Sequence, residues 1–224
     1  MAPKILTAAS VPAAADIVVQ PVTTELSTPK MIRSSMPTVA DALLAQGFAG
    51  RADQVVVVQG GKGRAIVYIG VGPAATVDAD RCRRLGAQAA RAAKHSARLA
   101  VDVRELITEA EPTERVEFAR ALAEGLVLGS YRYTEFRSKT PKPTLGSATV
   151  VMRGSSRLKA AVAEGAAIAA AQNLARDLVN RPAAPSPRPH WPMRHAGSLD
   201  GRDSPSRCWV APRSSGCVSV ASWE

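Results

Sequence analysis

The segment EGAAIAAAQNLARDLVNRP, residues 164–182, separates two unlike parts of this sequence. Together with the residues from Ser155 onwards it predicts one long amphipathic helix ending near Val179, because its apolar residues recur at three- and four-residue spacing. The apolar positions that we expect on its packing face are Leu158, Val162, Ile168, Ala169, Ala175 and Val179. Before this helix the sequence has the pattern of a folded domain, and after it no window shows helical or strand periodicity.

Short apolar runs alternate with helical patterns in the first 152 residues. The run QVVVVQ, the glycine turn GGKG and the run AIVYIGVG predict a β-hairpin over residues 54–72. We expect further strands at residues 16–22, 99–103 and 148–152, and helices at residues 39–46 (capped by Thr38), 78–97 and 113–130 (preceded by Pro112). This alternation indicates an α/β domain over residues 1–152, with a mixed sheet flanked by helices.

The composition is that of a globular protein, with 46% hydrophobic and 21% charged residues. The formal charge of +10 can attract nucleic acid or an anionic membrane, but the basic residues are spread over several segments rather than packed into one stripe. No run of about 18 apolar residues is present, and Asp16 interrupts the weakly apolar N-terminal stretch. We therefore expect a cytoplasmic protein without a membrane span.

Residues 181–224 differ sharply from the rest of the chain. They contain seven of the 16 prolines, all three tryptophans and two of the three cysteines. One interpretation is a natural disordered Pro/Ser/Arg tail. The other is translation out of frame, which we favour because disordered tails avoid aromatic residues. We expect this segment to be disordered in either case.

Three patterns could carry chemistry, and each has a simpler structural interpretation. Gly70 and Gly72 match the loose form G-x-G-x-x-A of a dinucleotide-binding loop, but Pro73 removes an N–H from the cradle, so a tight turn is the better interpretation. The turn at residues 60–63 lacks the G-K-[ST] ending of a phosphate loop. His95 stands alone near a helix end, which favours a structural role.

Cysteine and histidine spacing does not indicate a metal site or a disulfide framework. We expect Cys82 to be a reduced helix residue, and the odd number of cysteines excludes complete pairing. The remaining candidates lie in the anomalous tail at spacings that no zinc site uses; they are His190, His195, Cys208 and Cys217. We assign no catalytic, cofactor-binding or metal-binding residue to this chain.

Two strings resemble the leucyl aminopeptidase (cytosol aminopeptidase) family. The first is EGLVLGSYRYTEFRS at residues 124–138, where we expect the two tyrosines to pack the preceding helix onto the sheet. The second is AAQNLARDLVNRP at residues 170–182, in which we expect Asp177 to neighbour Arg176 and Arg181. The residues at matching positions are Gly129, Tyr131, Arg132, Tyr133, Asn173, Leu174, Asp177, Leu178, Asn180 and Pro182.

The resemblance implies a fold and an activity. It implies a macro-like N-terminal α/β domain, a long interdomain helix at residues 153–180 and a C-terminal peptidase domain. It also implies a hexameric enzyme that releases N-terminal amino acids from peptides. This activity would use two divalent metals, zinc or manganese, held in the C-terminal domain. The strings that bind those metals do not occur in this sequence, so we expect the chain as written to be inactive.

A second interpretation comes from another functional class. The first 152 residues would then form a free-standing macro-like module that binds DNA or a nucleotide-like ligand. The basic balance of residues 1–180 favours DNA, and some bacterial members of the family are DNA-binding accessory factors.

Overall fold

A single six-stranded sheet organises the described part of the chain. The computed structural model describes residues 2–60, 63–135, 145–153 and 155–181, and the elements below all belong to one compact unit. The strands are β1 (Lys4–Ala8), β2 (Ile17–Thr23), β3 (Val55–Gln59), β4 (Ala65–Gly72), β5 (Arg98–Asp102) and β6 (Ser147–Val151). The helices are α1 (Pro29–Ser35), α2 (Ala40–Ala45), α3 (Ala79–Ala92), α4 (Arg104–Glu109), α5 (Pro112–Gly129) and α6 (Ser156–Asn180).

The strand order is β1-β6-β5-β2-β4-β3, with β3 antiparallel to β4 and the other neighbouring strands parallel. The hairpin predicted from residues 54–72 is confirmed by the pairing of Val57 with Val67. A parallel strand pair needs a helical crossover, and these crossovers place helices on both faces of the sheet. The expected mixed α/β sheet flanked by helices is therefore confirmed.

The two faces of the sheet have separate cores. Helices α3, α5 and α6 cover one face, where Val19, Val67 and Val101 of the central strands pack against Leu85 and Leu122. Helices α1 and α2 cover part of the other face. Its core contains Val22, Val56, Tyr68, Ile32, Leu43 and Phe48. Alternate residues of the central strands thus belong to opposite cores, as the two-residue period of a strand requires.

Three elements were missed in the sequence, and two helix starts were misplaced. Strand β1 and helices α1 and α4 are short, and their patterns are too brief to show periodicity. Thr38 does not cap α2, whose N-cap is Val39 without a side-chain hydrogen bond. Helix α5 begins one residue earlier than predicted, at Pro112, and Glu111 and Glu114 form its capping box.

The predicted packing face of α6 is confirmed at Leu158, Val162 and Ala169 and wrong at its other three positions. Ile168, Ala175 and Val179 are exposed, and Val179 has 84% of its surface accessible. The buried positions are Leu158, Ala161, Val162, Gly165, Ala169 and Asn173. Alanine is so frequent in this helix that apolar spacing alone allows more than one face, and the contact with α5 selects among them.

Glycines bring α3, α5 and α6 unusually close together. A Cβ atom added at Gly125 would lie 1.9 Å from the carbonyl oxygen of Arg83, and one added at Gly129 would lie 2.5 Å from the Cα of Ala87. The same holds at Gly86, which faces α5, and at Gly165, which faces α5 from α6. The helix backbones can be this close only where a side chain is absent.

We predict that Gly125→Ala destabilises the domain. The new Cβ forces α3 and α5 apart, which costs about 3 kcal/mol as overpacking, whereas the gain in helix propensity is only about 1 kcal/mol. Urea unfolding should therefore show a net loss of about 2 kcal/mol. Gly146→Ala is the matched control, because its Cβ would meet only Ala97 at an ordinary 3.5 Å. Equal stability of the two variants would contradict this account of the packing.

Candidate functional site

A crevice opens at the carboxyl ends of the central parallel strands. Strands β2 and β5 are neighbours, but β2 leads to α1 on one face of the sheet and β5 leads to α4 and α5 on the other. Such a reversal leaves a gap between the two connections, which is where open α/β sheets commonly bind ligands. The gap here has a volume of about 480 Å³.

The crevice has a mixed apolar and charged lining. Val22, Met36 and Leu106 supply apolar surface. Asp102 and Arg104 form a two-point ion pair, with Nε to Oδ1 at 2.9 Å and Nη2 to Oδ2 at 2.7 Å. This hydrogen bonding raises the pKa of the Arg104 guanidinium above its ordinary value. The pair is charge-neutral as a unit and holds the start of α4 in place.

Arg153 supplies the remaining fixed positive charge in the crevice. It follows β6, is exposed, and makes no ion pair or side-chain hydrogen bond with the residues that the structure describes. Asp102, Arg104 and Arg153 were not recognised as candidates in the sequence. The available signal was their position, since Asp102 ends β5, and Arg104 and Arg153 stand two residues after β5 and β6, whose carboxyl ends lie at this edge.

A second cluster of polar residues joins the ends of α5 and α6. The Tyr131 hydroxyl donates to Asp177 Oδ1 at 2.8 Å and accepts from Asn180 Nδ2 at 3.2 Å. The guanidinium carbon of Arg176 lies 3.9 Å from the centre of the Tyr131 ring. Asn173, which is buried, donates from Nδ2 to the carbonyl oxygen of Val127 at 3.3 Å.

This α5–α6 junction brings together the two strings that were recognised in the sequence. Tyr131 follows α5, and Asn173, Asp177 and Asn180 lie on α6, so the two strings contact each other although 46 residues separate Tyr131 from Asp177. The expectation that this tyrosine packs α5 onto the sheet was wrong for Tyr131, which contacts α6 instead. Its role in the fold is to attach the last turns of α6.

Gly70 and Gly72 lie in the last residues of β4, and a tight 3₁₀ turn follows them at Ala74–Thr76. The N–H of Gly70 donates to the carbonyl of Gln54, and that of Gly72 donates to Gly50. A Cβ at Gly70 would lie 2.1 Å from the carbonyl oxygen of Arg51, so glycine is required there for the close approach of another chain segment. The glycine at position 70 is thus explained by this close approach.

The backbone N–H that follows the glycine pattern is bonded to a side-chain carboxylate. The N–H of Ala74, in the short 3₁₀ turn after β4, donates to both carboxylate oxygens of Glu25 at 3.2 Å. Hydrogen bonds from its own backbone N–H and, to a smaller extent, from that of Ala74 hold the pKa of the Glu25 carboxyl below its ordinary value. The Ala74 N–H is thus already hydrogen-bonded to a side chain of the protein itself.

Of the other candidates, only His95 and Cys82 lie wholly within the described residues. Gly60 and Gly63 flank the β3–β4 turn, while residues 61 and 62 are outside the described ranges. His95 is exposed beyond the end of α3. Cys82 is buried, and burial raises the pKa of its thiol to about 12, so it is not a reactive cysteine. The tail candidates His190, His195, Cys208 and Cys217 lie outside the described residues.

The described residues do not fit the two divalent metals that the family resemblance implies. No group of three or more His, Cys, Asp or Glu side chains in this part of the chain could hold a metal ion. We therefore derive no metal-dependent step from these residues. No helix within the described ranges is both long enough and apolar enough to cross a membrane.

We predict that Tyr131→Phe loosens the end of α6. The variant keeps the ring beneath Arg176 but loses the hydroxyl bond to the Asp177 carboxylate, at a cost of about 1–2 kcal/mol. Amide hydrogen exchange should become faster in residues 173–180, while the exchange of β5 amides stays unchanged. Tyr131→Ala removes the ring as well and should have the larger effect. Unchanged exchange in the Phe variant would show that the hydroxyl bonds do not hold the helix end.

Comparison with known proteins shows which family this domain resembles. The N-terminal domain of the cytosol aminopeptidase family matches residues 25–140. A probable cytosol aminopeptidase from Persephonella marina is 31% identical over 147 residues, which are 61% of this chain and 29% of that protein. This chain thus spans about a third or less of the length of such relatives.

Solved structures give the same result. The bottromycin maturation enzyme BotP in complex with Mn has a TM-score of 0.62 and 34% identity, covering 82% of this chain and 36% of that one. A mutant of tomato leucine aminopeptidase has a TM-score of 0.68 at 24% identity, covering 82% and 40%, and this likeness concerns the fold. The family match covers just over half of the sequence, and we conclude that the chain belongs to the cytosol aminopeptidase family and carries its N-terminal domain.

Proposed function

We propose that residues 2–181 serve as the non-catalytic N-terminal domain of a metal-dependent aminopeptidase. The match of residues 25–140 to the family domain is the observation that supports this most directly. The α5–α6 junction adds to it, because the residues that carry the resemblance also fix the helix that leads out of the domain.

The peptidase activity of the family would then belong to the C-terminal domain of longer relatives and not to residues 2–181. In a longer relative, two zinc or manganese ions would polarise a peptide carbonyl and activate a water molecule. Peptide substrates, a hexameric assembly and a cytoplasmic location are proposed for the protein on the same basis. For the 224-residue chain by itself we propose that it does not release N-terminal amino acids.

The test is the hydrolysis of leucine p-nitroanilide by the purified 224-residue chain with manganese. We expect no turnover above the buffer blank, because no residues for binding the metals have been identified in the sequence. A full-length leucine aminopeptidase, such as the tomato enzyme, serves as the positive control in the same buffer. Turnover that is lost on adding a chelator would overturn the proposal of inactivity.

The crevice favours a second candidate function, that of a module for DNA or a nucleotide-like ligand. Its position at the strand ends suits a small ligand, and its lining contains Arg153, which makes no ion pair within the described residues, together with the carboxylate of Glu105. The excess of basic residues in the chain adds a longer-range attraction for phosphates.

Binding of a fluorescent 20-base-pair duplex should be measured by anisotropy with the 224-residue chain. If this second function holds, affinity falls steeply between about 50 and 200 mM salt, because phosphate contacts release counterions. Arg153→Gln should weaken binding, whereas Arg33→Gln, an exposed arginine outside the crevice, should weaken it less. Absence of binding at about 50 mM salt would exclude the DNA-binding function.

A further inference from the structure

The lining of the crevice contains two opposite charges that are not paired with each other. Arg153 lies just past the end of β6, and Glu105 lies in the first turn of α4. Both residues are exposed, and neither forms an ion pair or a side-chain hydrogen bond within the described part of the chain. Glu105 attracts Arg104 only at longer range, because that guanidinium is bonded at two points to Asp102. A ligand could therefore still pair with each of the two charges.

Apolar side chains and a neutral amide complete the lining. Val22, Met36 and Leu106 supply the apolar surface. Gln20 lies on the same face of β2 as Val22, because residues two apart on a strand share a face. Its side-chain amide can both donate and accept hydrogen bonds. A positive group, a negative group and an apolar surface thus border one volume of about 480 Å³.

We propose that this crevice binds a small zwitterion of the amino-acid type. Its carboxylate pairs with Arg153, its ammonium group pairs with Glu105, and its apolar body lies against the apolar side chains of the lining. A guanidinium matches the two oxygens of a carboxylate, and the volume lies in the usual range of small-molecule sites. The proposal concerns the crevice of the second candidate function, but it requires neither DNA binding nor peptidase activity.

The charges of the lining suit a zwitterion better than a ligand of one sign. An anion that pairs with Arg153 also meets the carboxylate of Glu105, and like charges repel each other. A cation at Glu105 meets the guanidinium of Arg153 in the same way. A neutral apolar molecule would remove water from both charged groups without replacing its hydrogen bonds, which costs free energy.

The test is a titration of the isotope-labelled 224-residue chain with leucine, followed by amide chemical shifts. Saturable shifts are expected in residues 20–22, 35–36 and 104–108, and not in residues 173–180. The dissociation constant should be on the order of 1 mM, because solvent screens exposed charges and the ligand has few atoms. Leucyl-leucine carries its two charges farther apart, so its affinity relative to leucine shows whether the zwitterion is a free amino acid or a short peptide.

Two analogues of leucine each lack one of the charges. Leucinamide has no carboxylate, and N-acetylleucine has no ammonium group. Each should bind about two- to fivefold more weakly than leucine, which is the fold-change expected for one solvent-exposed ion pair.

Variants of the two charged residues assign each charge to its partner. Arg153→Gln should weaken leucine and N-acetylleucine about two- to fivefold and leave leucinamide unchanged. Glu105→Gln should weaken leucine and leucinamide and leave N-acetylleucine unchanged. Arg33→Gln and Glu117→Gln are the matched controls, because both residues are exposed and lie outside the crevice lining, and they should bind every ligand as the wild-type chain does.

Three results would overturn the proposal. The first is the absence of saturable shifts up to roughly 10 mM leucine. The second is leucine binding that neither crevice variant alters, provided that the amide spectra of the free variants show them to be folded. The third is tighter binding of AMP than of leucine, which would support the second candidate function instead. Hydrolysis of leucine p-nitroanilide and DNA anisotropy are separate measurements, so failure of this proposal can be told apart from failure of either proposed function.

Discussion

The close parallel packing of α3, α5 and α6 is the constraint on which the rest of the domain depends. At Gly86 and Gly165 an added Cβ would lie 2.3 and 2.2 Å from carbonyl oxygens of α5, so both neighbours of α5 touch its backbone. Short separations increase the number of dispersion contacts and leave few voids. A core with few aromatic residues can thereby reach useful density with alanine, valine and leucine, which is how this composition still builds a covered sheet.

Helix α6 is the third helix of this layer. It runs parallel to α5, because Glu164 lies near Arg120 at 3.6 Å and Asp177 lies at Tyr131. Its 25 residues span about 37 Å, which is longer than any strand of the sheet that it covers. The polar junction at Tyr131 attaches the far end, where apolar packing alone gives way to exposed residues such as Val179.

The crevice and the α5–α6 junction lie at opposite ends of the strands. Arg153 lies in the crevice just before α6 begins, at the carboxyl end of β6, and α6 then runs back toward the amino ends of the strands. A ligand in the crevice would therefore not compete for the surface around Asn180. The two features can serve separate functions, since the layer of packed helices separates them by the full length of the sheet.

The sequence by itself determined the alternating strands and helices, the β3–β4 hairpin and the family strings at residues 124–138 and 170–182. These features are local, because periodicity, glycine turns and helix ends depend on neighbouring residues. Short elements such as β1 and α4 escaped because their patterns are too brief. The two family strings could be recognised in the sequence, but the contact between them through Tyr131 and Asp177 could not.

Only the tertiary structure decided which apolar residues are covered and which polar residues meet. The run VVVVQ of β3 reads as buried, yet Val55 and Val57 are exposed because α3 covers β4 and leaves the edge strand open. Asn173 is buried and Ile168 is not, because α6 turns its glycine and small residues toward α5. The crevice combines residues from four separate segments, and strand order, which no local pattern encodes, brings them to one edge.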